Sequence, residues 1–160
     1  PTGLCAVVVA KAYGAKKVIG INRGEYRRNL AKKMGADEVY ESLPKEYENM
    51  CEVVLEMSGN AEVINSALLA ARIAGTLVFF GIPKKPAPID IGKFIINKEL
   101  RTESVFGRRI WETWYQTADL VMNKKVDLSK LVTHRMKLAD FEEAMKVMKS
   151  GECGKILLQP

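Results

Sequence analysis

Three short stretches carry residue types suited to holding a phosphorylated ligand. Pro1-Thr2-Gly3-Leu4 opens a run of helix formers and small apolar groups. The first N–H groups of a helix have no partner inside it, and with the helix dipole they present partial positive charge to a diphosphate. A glycine there lets the ligand approach the backbone. Asn22 and Arg23 end the next short apolar run, and Arg27 follows one helical turn later. At that place a dinucleotide fingerprint holds either an acid, for the ribose 2′-OH, or a neutral residue with an arginine, for a 2′-phosphate. Asn22 beside Arg23 suits a 2′-phosphate, while the Asn22 amide can also bond a ribose hydroxyl, so NADP and NAD both remain open. The third stretch is split: Met57-Ser58-Gly59 and Phe80-Gly81-Ile82 each follow a predicted strand at its carboxyl end. Open α/β sheets bind ligands at those ends, and glycine there lets a cofactor lie on the backbone.

Other reactive residue types point nowhere in particular. His134, the one histidine, stands between Thr133 and Arg135 with no Cys or carboxylate at ligand spacing, so it reads as a structural hydrogen-bonder. Cys5, Cys51 and Cys153 are odd in number and far apart, which argues against a disulfide framework and against a CxxC zinc site. They are expected to be buried free thiols in a reducing cytoplasm. Trp111, Trp114 and Tyr115 are expected in a core or an interface before a base-stacking platform.

The elements that would position these residues alternate. Helix is expected over residues 3–13, 25–34, 44–50, 61–73, 109–123 and 140–150, with Gly14, Gly35 and Gly75 as caps. Strands are expected over 17–22, 38–40, 52–57, 76–80, 100–106, 134–136 and 155–158. The run Thr76-Leu77-Val78-Phe79-Phe80 is apolar on both faces, as a central parallel strand must be. Three prolines between Pro83 and Pro88 keep that segment out of the sheet interior. On the helix from 109, Ile110, Trp114, Ala118 and Val121 are expected to face inward. Short strands alternating with helices form βαβ units, hence an α/β fold. With the mouth of the first helix at the chain's start, the expectation is a Rossmann doubly wound parallel sheet truncated at its first strand, in a chain cut from a longer one.

Composition agrees with a packed domain: 48% apolar and 28% charged residues are near the globular average. No apolar run approaches the roughly 18 residues that a membrane helix needs, so no membrane partner is expected. The formal charge of +6 is concentrated in Lys11, Lys16, Lys17, Arg23, Arg27, Arg28, Lys32 and Lys33, with Glu25 the one acid among them. That cluster suits a dinucleotide phosphate better than nucleic acid, which is not expected as a partner.

Eight blocks in this order carry a resemblance: Pro1-Thr2-Gly3-Leu4, Glu25-Tyr26-Arg27, Lys33-Met34-Gly35-Ala36, Leu55-Glu56-Met57-Ser58-Gly59, Phe80-Gly81-Ile82-Pro83, Phe106-Gly107-Arg108, Glu112-Thr113-Trp114-Tyr115 and Thr133-His134-Arg135. They resemble the zinc-dependent medium-chain alcohol dehydrogenases, and within them the threonine dehydrogenases. The resemblance implies a zinc enzyme that oxidises the threonine hydroxyl, a secondary alcohol, and passes hydride to a nicotinamide cofactor. By position it puts Thr2 and Gly3 at the pyrophosphate, Asn22 and Arg27 at the adenosine ribose, Phe80 to Ile82 beside the nicotinamide riboside, and Val105 and Phe106 against its ring; Leu4, Arg23 and Ser58 are further expected cofactor-binding residues. The family's acid at the position of Asn22 is replaced here.

The family's zinc ligands lie in an amino-terminal part outside these residues, so this chain by itself is expected to be inactive, with no catalytic or metal-binding residues of its own. Residues 1–123 are expected to form the dinucleotide-binding domain, and 124–160 a returning segment of the catalytic domain. The implied partners are a small amino-acid alcohol and further copies of the chain, through the strand near 100–106. A non-catalytic nucleotide-binding regulatory domain, or a related polyol or alcohol dehydrogenase, is the alternative reading.

Overall fold

A computed structural model describes residues 1–160. Its elements in order are α1 (Thr2–Ala12), β1 (Ile19–Ile21), α2 (Glu25–Lys33), β2 (Glu38–Tyr40), β3 (Cys51–Glu56), α3 (Ala61–Ala70), β4 (Ala71–Phe79), β5 (Arg101–Ser104), α4 (Glu112–Met122), β6 (Val132–Lys137), α5 (Phe141–Ser150) and β7 (Lys155–Gln159). Every strand pair is parallel: β1 with β2, β3 with β4, β4 with β5, and β6 with β7. Parallel strands with helical crossovers make this an α/β chain of the Rossmann type, as the alternation of elements requires. In the doubly wound order 3-2-1-4-5-6 the first strand joins strands two and three to strands four to six. Here the hydrogen-bonded strands form the pair β1–β2, the triplet β3–β4–β5 and the pair β6–β7.

The chain packs as two units, one of Pro1–Ser42 with Ile110–Pro160 and the other of Leu43–Arg109. In the first, Leu4, Val7 and Val8 of α1 pack with Leu30, Ala31, Met34 and Leu131. The spacing of the α1 residues places them on one helix face. Below them, Asp37 ties α1 to β1: its carboxylate accepts from Lys11 Nζ at 2.9 Å and from the Val18 N–H at 2.6 Å. The second unit is built around Leu68 and Leu77, both fully buried, with Ile64, Ala71, Phe94 and Leu100. Leu77 sits on β4, the middle strand of the triplet, which confirms the central-strand reading of that run.

Several local expectations need correction. Gly75 does not cap α3, because the helix ends at Ala70 and the chain turns directly into β4. Instead Gly75 lies at a register shift between β3 and β4, where a Cβ would stand 2.9 Å from the Arg72 carbonyl and 3.2 Å from that of Glu52. A bulge of this kind needs a residue without a side chain. Ile110, Trp114, Ala118 and Val121 do not face inward: α4 buries no residue, and no other part of the chain covers its apolar stripe. Trp111 and Trp114 stack edge to face on that exposed surface, with centroids 5.3 Å apart. All three thiols are free as expected, but only Cys153 is buried.

Candidate functional site

The first unit supplies the mouth of α1. Pro1, Thr2 and Gly3 are exposed, and no side chain caps the helix. A Cβ built on Gly3 would meet nothing within 4 Å. Leu4 sends its side chain into the core, leaving only its N–H for a ligand. The first intrahelical bond is donated by Cys5 to Pro1 at 3.0 Å, so the N–H groups of Thr2, Gly3 and Leu4 precede the helix ladder.

At the tip of β1, Asn22 continues the ladder by donating its N–H to the Tyr40 carbonyl at 3.0 Å. Its Oδ1 accepts from the Gly24 N–H at 2.9 Å, which folds the turn back and leaves the Nδ2 donor as the group available to a sugar hydroxyl. Arg28, a member of the basic cluster, pins this turn: its Nη1 donates to the carbonyls of Asn22 at 2.8 Å and Arg23 at 2.6 Å. Arg23 is exposed beside Asn22. Arg27 is half-buried, with its Nε enclosed and lacking a hydrogen-bond partner. Its terminal Nη2 stands 4.0 Å from where a Cβ on Gly151 would lie, so the side chain runs toward the end of α5. The basic cluster is thus dispersed: Lys11 pairs with Asp37 at 2.7 Å, Lys17 with Glu38 at 2.5 Å, and Arg28 with carbonyls.

The second unit gathers Ser58, Phe80, Gly81, Ile82, Val105 and Phe106 at the carboxyl ends of its three parallel strands. The turns after β3 and β4 interlock. A Cβ on Gly59 would stand 2.5 Å from the Ile82 carbonyl oxygen, and one on Gly81 would run into the Gly59 backbone. The Val105 N–H extends the β5 ladder onto the Phe79 carbonyl at 3.0 Å. Beyond this frame Ile82 and Phe106 remain 71% and 90% exposed, an apolar wall with nothing of the chain upon it. Glu56, the last residue of β3, is 2% exposed and accepts hydrogen bonds from Ser58 and Gly59. No role was expected of Glu56 from sequence, although an acid closing an apolar strand just before Ser58-Gly59 is a visible signal.

Elsewhere, His134 Nδ1 lies 2.9 Å from Thr133 Oγ1, which accepts from the Gly154 N–H; the ring therefore sits beside the β6–β7 pair. No group of three or more His, Cys, Asp and Glu side chains comes together in the chain. The residues present do not form a zinc site.

The sequence profile of the family described as zinc-binding dehydrogenase matches residues 1–123. The chain belongs to that family. Among curated relatives, L-threonine 3-dehydrogenase of Bacillus subtilis is 36% identical over all of this chain and 49% of its own length. The chain therefore spans about half the length of the curated relatives it matches. Among solved structures, 2R,3R-butanediol dehydrogenase from Bacillus subtilis superposes with a TM-score of 0.86 at 26% identity, over 99% of this chain and 48% of that one. A zinc-binding dehydrogenase from Sinorhizobium meliloti, described as bound to NADP, gives a TM-score of 0.83 at 26% identity over 99% and 49%.

Proposed function

We propose that these residues are the dinucleotide-binding portion of a zinc-dependent oxidoreductase that removes hydride from a secondary alcohol, L-threonine going to 2-amino-3-ketobutyrate. The observation that carries the reading is the set of N–H groups of Thr2, Gly3 and Leu4 ahead of the α1 ladder in a Rossmann-type chain, with Asn22 at the tip of the next strand. A diphosphate accepts hydrogen bonds from the Thr2, Gly3 and Leu4 N–H groups, and the helix dipole favours its charge. The Asn22 amide donates to a ribose hydroxyl, and Arg23 stands where a 2′-phosphate would bring negative charge. Arg27, in the first turn of α2, directs its side chain toward the end of α5. By family likeness Ser58, Phe80 to Ile82, Val105 and Phe106 are assigned to the nicotinamide half. When bound, the nicotinamide supplies the hydride acceptor.

The threonine assignment rests on the likeness to L-threonine 3-dehydrogenases of about twice this length. Zinc belongs to the proposal only through the family, with ligands supplied from outside these 160 residues. By family likeness the edge of β5 is the proposed seam between copies, and three free thiols fit a reducing cytoplasm. The test is calorimetric titration with NAD and NADP, for the unaltered chain and for Arg23→Ala. Binding of a dinucleotide in the micromolar range is expected, with Arg23→Ala weakening NADP about tenfold relative to NAD, as loss of one charge-assisted contact implies. An equal loss for both, or none, removes Arg23 from the site; failure to bind either dinucleotide removes the function.

A further inference from the structure

Glu56 joins the exits of two neighbouring strands through one residue. Its backbone carbonyl accepts from the Phe80 N–H at 2.8 Å and the Gly81 N–H at 3.0 Å, fixing the turn after β4. Its side chain fixes the turn after β3: Oε1 accepts from the Ser58 N–H at 2.8 Å, Ser58 Oγ at 2.5 Å and the Gly59 N–H at 3.1 Å, and Oε2 from the Gly59 N–H at 3.2 Å. The backbone partners all donate, which suits an acceptor-only carboxylate, and none of the partners is a cation. Enclosing a carboxylate without a counter-ion is costly unless hydrogen bonds satisfy it, and a neutral Asn or Ser would cap such a turn at far less cost. The acid is accounted for by what it holds. A Cβ on Gly81 would approach Oε2 to 2.8 Å, so the Phe80–Ile82 backbone rests directly on the carboxylate.

We propose that Glu56 is a positioning residue for the nicotinamide half of the dinucleotide, its enclosed carboxylate locking Ser58-Gly59 against Phe80-Gly81-Ile82 so that the apolar wall is set before the ligand arrives. Preset walls raise affinity because the ordering cost is not charged to binding. The inference rests on the dinucleotide reading above, and ADP-ribose separates the two, since it carries the diphosphate and both sugars without the nicotinamide ring. Glu56→Gln removes the charge and puts an N–H donor against donors already present.

The chain and Glu56→Gln are titrated with NADH and with ADP-ribose. Glu56→Gln is expected to weaken NADH about tenfold and to leave ADP-ribose within about twofold. Equal change in both, or change in neither, overturns the positioning role while the dinucleotide reading stands. If the unaltered chain binds neither ligand, that reading falls and takes this inference with it. Should Glu56→Gln not fold, Ser58→Ala removes only the hydroxyl from Oε1. Faster hydrogen exchange at Gly59 with selective weakening of NADH is then expected, and unchanged Gly59 exchange overturns the proposal.

Discussion

Thr2, Gly3, Asn22 and Ser58 announced themselves as candidates through their types: small or amide-bearing residues at the edges of apolar runs, where the chain must turn. Asp37 did not, because its partners, Lys11 and the Val18 N–H, are distant in sequence, and Glu56 showed its place at a strand end but not the backbone groups it binds. Asp37 is held below the usual carboxylate range, first by the Lys11 hydrogen bond and then by the Val18 N–H. A carboxyl with a depressed folded pKa stabilises the fold fully above its unfolded value and loses that contribution as pH falls through the folded one. Asp37→Asn is therefore expected to lower the melting temperature at pH 7, with the gap to the unaltered chain closing below about pH 4. A gap that is constant across pH, followed by thermal melts in parallel buffers, would deny the ion pair its role. Gly81 makes a steric counterpart. Gly81→Ala drives a methyl into the Gly59 backbone and the Glu56 carboxylate, and a destabilisation of about 1–3 kcal/mol is expected in urea unfolding, as for other overpacked sites.

Helices and strands were legible wherever periodicity and a terminating residue agreed. Glu38–Tyr40 fell where expected, and Gly151 closes α5 in the left-handed conformation with φ 82°. The boundary between α3 and β4 was not legible. Ala67 through Ala74 is apolar enough for either state, and the chain decides by a lysine from far along the sequence. Lys98 Nζ donates to the carbonyls of Leu68 at 2.5 Å, Leu69 at 3.2 Å and Ala71 at 2.7 Å, capping α3 where the dipole favours a cation. Burial pushes its pKa down, with Lys93 adding to the effect, so the ammonium stays buried only because three acceptors surround it. Lys98→Met leaves those carbonyls without their donor, and about 1–3 kcal/mol of lost stability is expected by denaturant titration. A neutral outcome would mean that the helix end is held by packing alone.

Across the whole chain, parallel pairing and the βαβ rhythm were readable from sequence, because apolar strands between helices admit few other folds. The apolar stripe of α4 was misread because periodicity shows that a helix has an apolar face and says nothing of whether the chain provides a cover. Free strand edges invite pairing. If copies join along β5, light scattering should give a mass above that of one chain, and Thr102→Lys on that edge should reduce it to 17.9 kDa plus the added side chain. An unaltered oligomer would put the seam elsewhere.

The most direct measurement concerns the mouth of α1. Backbone amide resonances are followed while ADP-ribose is added. The Thr2, Gly3 and Leu4 N–H signals should show the largest saturable shifts in the chain, with the Asn22 side-chain amide moving at the same ligand concentration. Saturable binding that leaves those three amides unmoved would contradict the account.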